Sequence, residues 1–90
     1  MLDHTVTVVN ALGLHARAAA QLVRLANTFR CDVRLKRDDT GIEADAKSIL
    51  NVLYIGASKG IELHIMTDGG NEDEAMAAVE SLFTSGFGET

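Results

Sequence analysis

The segment LGLHARAAAQLVRLANTF, residues 12–29, predicts the helix around which the rest of this chain is organised. Between residues 16 and 29 it is rich in alanine, and its larger apolar residues recur at helical spacing. One stripe of this helix carries Ala19, Leu22, Val23, Ala26 and Phe29. A helix with a single apolar stripe buries that stripe against another layer, so flanking strands are the expected partner.

Segments of alternating polar and apolar residues predict strands that are apolar on one face. They span residues 4–9, 31–36, 42–46 and 61–66. The predicted inward residues are Val6, Val8, Cys31, Val33, Leu35, Ile42, Ala44, Ala46, Ile61, Leu63 and Ile65. His4 and His64 fall at a strand end and on an outward face, so neither is expected to have a function.

Two further helices follow from capping patterns. Ser48 is the predicted N-cap of a short helix that ends near residue 55. Asn71 is the predicted N-cap of a last helix, with Glu74 as its reciprocal cap. The buried stripe of that helix carries Ala75, Ala78, Val79, Leu82 and Phe83. The order β-α-β-β-α-β-α predicts an α+β fold, in which helices cover one face of an antiparallel sheet.

Composition excludes several classes of function. A net charge of −5 and 4% aromatic residues argue against nucleic-acid binding, which needs positive charge or stacking surfaces. Cys31 is the only cysteine, and its spacing from the histidines suits no zinc site, so no metal and no cofactor are expected. Without a long apolar run or a secretion-like start, residues 1–90 are expected to form a single cytoplasmic domain with no membrane contact, and a monomer is the default.

The first helix begins with charges of the wrong sign for a helix start. Its first turn carries Arg17 and no acid, directly after His15, whereas the last helix begins with Glu72, Asp73 and Glu74. A cation in a first turn costs a few tenths of a kcal/mol, up to ~1. The sign reverses when a dianion binds there, because free N–H groups and a guanidinium both attract phosphate. The pattern predicts a site in which His15 carries a phosphoryl group covalently and Arg17 helps to hold it.

The residues GLHARAAA (13–20) and DAKSILNVL (45–53) resemble the HPr family, the histidine-containing phosphocarriers of the bacterial phosphoenolpyruvate-dependent phosphotransferase system. The resemblance implies an open-faced β-sandwich of four antiparallel strands with three helices on one face. It implies that His15 accepts phosphate on Nδ1 from phosphorylated enzyme I and passes it to an enzyme IIA domain, and that Arg17 stabilises the phosphate. Such a carrier is not an enzyme, since it has no turnover alone. Ala18 departs from the family, which commonly has proline there, and we expect the chemistry to survive.

The resemblance also implies a regulatory site and a docking surface. Ser48 resembles a serine that an HPr kinase/phosphorylase modifies in some bacteria, and its phosphorylation is expected to weaken transfer from enzyme I. The docking surface comprises Ala20, Arg24, Asn27, Lys47, Ile49, Leu50 and Leu53.

Alternative functions remain at this point. The tail AMAAVESLFTSGFGE (75–89) is similar to the nitrogen-related NPr branch, whereas KSIL (47–50) is similar to the sugar branch. A small ligand-sensing module and an RNA-binding module share this class of fold, and neither needs His15 together with Arg17.

Overall fold

The structure, a computed structural model, describes residues 1–89, and there it forms four strands and three α-helices. The strands are β1 (Leu2–Thr7), β2 (Asp32–Arg37), β3 (Glu43–Asp45) and β4 (Glu62–Asp68). The helices are α1 (Ala16–Ala26), α2 (Ile49–Ile55) and α3 (Glu72–Thr84), and a 3₁₀ turn follows at Gly86–Gly88. The predicted α+β open-faced sandwich is confirmed.

The strands form an antiparallel sheet in the order β1-β4-β2-β3. Val6 lies opposite Leu63, and Ile65 lies opposite Leu35, so these side chains share the buried face. They pack with Leu22 of α1 and the apolar stripe of α3 in one core. Apart from Met66, the side chains on the other face of the sheet are polar or charged, as the period-two alternation predicts.

The first helix is shorter than predicted: α1 ends at Ala26 rather than at residue 29. The reason is local competition for the last carbonyl groups. The Asn27 side chain donates to the carbonyl of Val23 (2.8 Å), and the Thr28 hydroxyl donates to that of Leu25 (2.7 Å). Phe29 lies beyond the helix but still packs against the core.

Ser48 and Asn71 are the N-cap residues of α2 and α3, as predicted, but neither side chain caps a backbone N–H. Ser48 occupies the N-cap position of α2, but its hydroxyl accepts from the Asn51 side chain (3.2 Å) and caps no backbone N–H. Asn71 takes a left-handed conformation (φ +68°) and makes no side-chain cap, so Glu74 has no reciprocal role. Instead the Glu72 carboxylate accepts from the N–H of Gly69 (3.3 Å) in the preceding turn.

Strand β1 begins two residues earlier than predicted, because Leu2 pairs with Thr67 of β4. Within residues 1–89, no helix combines the length and the hydrophobicity that a membrane crossing requires. The core consists of small and aliphatic side chains, and Cys31 belongs to it as a buried free thiol.

Candidate functional site

The loop between β1 and α1 places His15 at the first turn of the helix. The N–H of Leu14 donates to the carbonyl of Ala57, just after α2, at 2.8 Å. Gly13 has φ +65°, and a Cβ atom there would lie 2.5 Å from that same carbonyl oxygen. Only glycine therefore permits this close approach of the two chain segments.

His15 itself is the N-cap of α1. Its backbone is extended (φ −76°, ψ 178°), and its ring nitrogen Nδ1 accepts a hydrogen bond from the N–H of Arg17 at 3.3 Å. The imidazole thus acts as the side-chain N-cap, a role for which Ser, Thr, Asp and Asn are the preferred residues. Within residues 1–89, the N–H groups of Ala16 and Ala18 have no hydrogen-bond acceptor. The helix start therefore offers unpaired donors beside a ring nitrogen that bears a lone pair.

The other ring nitrogen of His15 faces a carboxylate from the distant C-terminal segment. Nε2 contacts Oε2 of Glu89, and the second oxygen of Glu89 accepts from Nδ2 of Asn10 at 3.1 Å. Asn10 is fully buried, and its Nδ2 also donates to the carbonyl of Gly13 at 2.7 Å. The hydrogen bonds from Asn10 and then His15 hold the pKa of Glu89 below its usual value, and the charge of Arg17 acts in the same direction.

Two cations border the open pocket in which His15 lies. Arg17 and Lys59 both line it, together with Ala16, Leu12 and Glu89. The Arg17 side chain is exposed and takes part in no ion pair among residues 1–89. The His15 side chain is 25% exposed, so its ring is open to a reactant. The pocket therefore combines an accessible nucleophile, an unpaired guanidinium and free N–H groups, which together suit a phosphoryl group.

The predicted docking surface lies along α1 and α2, which run in opposite directions. The Asn27 side chain at the end of α1 donates to the carbonyl of Lys47 (3.2 Å), just before α2 begins. At the other end of α2, the carbonyl of Ala57 accepts a hydrogen bond from the N–H of Leu14, just before α1 begins. Ser48 thus lies at the far end of α1 from His15, about 16 Å away for a helix of 11 residues.

Most residues of the docking surface are accessible. Leu50 is 74% exposed, Ile49 and Leu53 are each 38% exposed, and Arg24 and Asn27 are exposed as well. Ala20 and Lys47 are partly buried, and the Lys47 ammonium donates to the carbonyl of Phe29 at 2.8 Å. Lys47 therefore has a structural contact that the sequence did not predict.

Sequence reasoning missed three residues around His15: Asn10, Lys59 and Glu89. Glu89 lies 74 positions from His15 in the chain, and no periodic pattern relates two residues so far apart. Leu12 and Tyr54, which are 70% and 77% exposed, are further large apolar residues that it did not single out. The exposure of Tyr54 could have been inferred from helical periodicity, because the buried stripe of α2 consists of Val52 and Ile55. Leu12 lies in a loop, where no periodic pattern indicates exposure.

The described residues offer no metal centre. Among residues 1–89, no group of three or more His, Cys, Asp or Glu side chains could hold a metal ion. The two ring nitrogens of His15 have different surroundings: Nδ1 faces the backbone N–H of Arg17, and Nε2 faces the carboxylate of Glu89.

Comparison with known proteins agrees with this geometry. Residues 2–85 match the family model described as the PTS HPr component phosphorylation site. The chain is 44% identical over 89 residues to the phosphocarrier protein HPr of Cupriavidus necator, covering 99% of this chain and 98% of the relative. It is also 44% identical over 88 residues to the phosphocarrier protein NPr of Escherichia coli K12, covering 98% and 97%.

A solved structure shows the same fold. The crystal structure of HPr-C-His from Thermoanaerobacter tengcongensis superposes with a TM-score of 0.92 at 34% identity, covering 100% of this chain and 99% of the other. Sequence, fold and the position of His15 at a helix start all agree, and the chain belongs to the HPr family of phosphocarrier proteins of the phosphotransferase system.

Proposed function

We propose that His15 accepts a phosphoryl group on Nδ1 from phosphorylated enzyme I and passes it to an enzyme IIA domain. The observation that most supports this is the contact between Nδ1 and the N–H of Arg17 at the start of α1. A phosphoryl group bonded to Nδ1 would meet backbone donors, the positive end of the helix dipole and the Arg17 guanidinium. The chain acts as a carrier without turnover of its own, as membership of the family implies.

The test is phosphate uptake from phosphoenolpyruvate in the presence of enzyme I. We expect one acid-labile phosphate on the wild-type chain and none on His15→Ala. His64→Ala is the matched control, because His64 lies on the outer face of the sheet and should leave uptake unchanged. Uptake by His15→Ala, or no uptake by the wild type, would contradict the proposal.

The docking surface is proposed to bind enzyme I and enzyme IIA in turn. Leu50 is the most exposed of its three large apolar residues, with 74% of its surface accessible, and Arg24 in the last turn of α1 supplies a positive charge. Small, partly apolar interfaces suit a carrier that must leave its partner quickly. Leu50→Ala is expected to raise the KM for enzyme I with little change in kcat, and a changed kcat at constant KM would contradict this role.

Ser48 is proposed to be a regulatory site for an ATP-dependent HPr kinase/phosphorylase. It lies at the start of α2, next to Ile49 and Leu50 of the docking surface. A phosphate there adds about −1.5 to −2 charges, which repel an acidic partner. Incubation with such a kinase and ATP should modify the wild type and leave Ser48→Ala unmodified.

A second candidate is the nitrogen-related branch of the family. The E. coli NPr is as similar to this chain as the C. necator HPr, at 44% identity each. Transfer rates from phosphorylated protein to a sugar-branch and a nitrogen-branch IIA domain will distinguish the two. The monomeric state, the single domain over residues 1–90 and the cytoplasmic location stay predictions.

A further inference from the structure

The C-terminal segment is fixed against the His15 site by its own packing. Phe87 is buried, and its ring meets that of Phe83 edge to face with centroids 5.0 Å apart. The Gln21 side chain of α1 donates to the carbonyl of Phe87 (3.4 Å), and the N–H of Glu89 donates to the carbonyl of Gly86 (3.1 Å). Glu89 therefore reaches His15 from an anchored turn, and its side chain is only 15% exposed.

Each oxygen of the Glu89 carboxylate has its own donor. Oε1 accepts from the buried side chain of Asn10, which also donates to the carbonyl of Gly13, and Oε2 accepts from Nε2 of His15. These two hydrogen bonds lower the pKa of Glu89, so the group stays ionised near neutral pH and only accepts. Since a carboxylate cannot donate, Nε2 must carry the ring hydrogen.

The other side of the ring favours the same tautomer. Nδ1 accepts from the N–H of Arg17, which requires a lone pair on Nδ1. A neutral imidazole carries one hydrogen on its two nitrogens. A carboxylate at Nε2 and an N–H donor at Nδ1 therefore both select the Nε2–H tautomer. That form presents Nδ1 as the nucleophile.

We propose that Glu89 is a positioning residue that keeps the hydrogen of His15 on Nε2 and balances the charge of the ring when Nδ1 is phosphorylated. This inference rests on the proposed function of His15. In the transfer, the lone pair of Nδ1 forms the new N–P bond, and the bond between phosphorus and the donor atom breaks with its electron pair returning to that donor atom. The hydrogen on Nε2 stays, so the His15 ring becomes a cation beside the Glu89 carboxylate. No proton has to enter or leave this site in either direction of transfer. The arrangement follows the general logic of a carboxylate that orients a histidine through the nitrogen that does not react.

The first readout is the tautomer of His15 in the unphosphorylated protein, measured from the ring ¹⁵N chemical shifts at a pH where the ring is neutral. The wild type should show the Nε2–H form. In Glu89→Gln the side chain can donate as well as accept, so only the long hydrogen bond from the N–H of Arg17 (3.3 Å) still favours the Nε2–H form, and a minor Nδ1–H population should appear. The matched control is Glu80→Gln, which removes the same charge from a second His–Glu pair, with His4 on β1. A wild-type Nδ1–H form, or a Glu89→Gln tautomer identical to the wild type, would overturn the proposal.

The second readout is the rate of phosphate uptake from phosphorylated enzyme I. Glu89→Gln should reduce the rate roughly tenfold, because the amide oxygen can still accept from Nε2 but no longer contributes the charge that strengthens this hydrogen bond. Glu89→Asp should recover part of the rate, and Glu80→Gln should have no effect. An unchanged rate in a folded Glu89→Gln variant overturns the charge-balancing role. If the wild type takes up no phosphate, the proposed function fails, whereas the tautomer measurement still decides the contact with Glu89.

Discussion

Replacing Gly13 by alanine is expected to damage the site through the backbone alone. The new Cβ atom would lie 2.5 Å from the oxygen of Ala57 and 2.8 Å from Cα of Ser58, so one segment must move. A left-handed residue other than glycine costs roughly 1–2 kcal/mol, and forcing an extra methyl group into a packed contact costs about 1–3 kcal/mol more. The expected loss is thus ~2–5 kcal/mol in the free energy of unfolding.

Gly41→Ala is the matched control, because Gly41 has φ +74° and a Cβ atom added there would meet no other atom within 4 Å. It should lose only the conformational part, ~1–2 kcal/mol. Urea unfolding followed by far-UV circular dichroism measures both variants. The loop also orients His15, so Gly13→Ala should take up phosphate more slowly under conditions in which it is folded, whereas Gly41→Ala should not. Equal losses of stability in the two variants would refute the close-approach argument.

Three further predictions concern regulation, pH and the start of α1. Ser48→Asp should raise the KM for enzyme I about three- to tenfold at low salt and leave kcat unchanged, because residue 48 lies at the far end of α1 from His15; an unaltered KM would refute it. The His64 ring donates to the carboxylates of Asp3 (2.9 Å) and Asp38 (3.1 Å), and these hydrogen bonds, Asp3 first, raise the pKa of His64. The stabilisation of the folded protein by these contacts is therefore complete below pH about 6.5 and is lost as the pH rises through the raised pKa. His64→Gln should therefore lower the urea midpoint more at about pH 5.5 than at about pH 8.5, and an equal effect at both would contradict this assignment. Ala18→Pro should change the phosphotransfer rate by less than about tenfold, because the N–H of Ala18 has no acceptor within residues 1–89 and proline is tolerated in the first turn of a helix. A gain of several orders of magnitude would show that alanine impairs this site.

The fold was predictable because its signals are short-range and repeated. Val33, Leu35, Leu63 and Ile65 alternate with polar residues, and each is at most 1% exposed. The helix ends were less predictable. Nothing in the helical periodicity of residues 16–29 shows that Asn27 will turn back onto Val23 and end α1 early.

The part of the site around Nδ1 of His15 was predictable, and the part around Nε2 was not. His15 and Arg17 stand two residues apart, so their shared position at a helix start follows from the local sequence. The other side depends on Asn10 and Glu89, which meet only after the chain has folded and its C-terminal turn has packed through Phe87. The first turn of α1 carries no acid, and the structure shows that the ring of His15 supplies the side-chain cap instead.

The proposed transfer requires the phosphoryl group on Nδ1, the nitrogen of His15 that faces the helix start. Nuclear magnetic resonance of ¹⁵N-labelled protein, phosphorylated with phosphoenolpyruvate and enzyme I, identifies the phosphorylated nitrogen through its coupling to ³¹P. We expect phosphorus on Nδ1 and a hydrogen retained on Nε2. Phosphorus on Nε2, or on any residue other than His15, would contradict it.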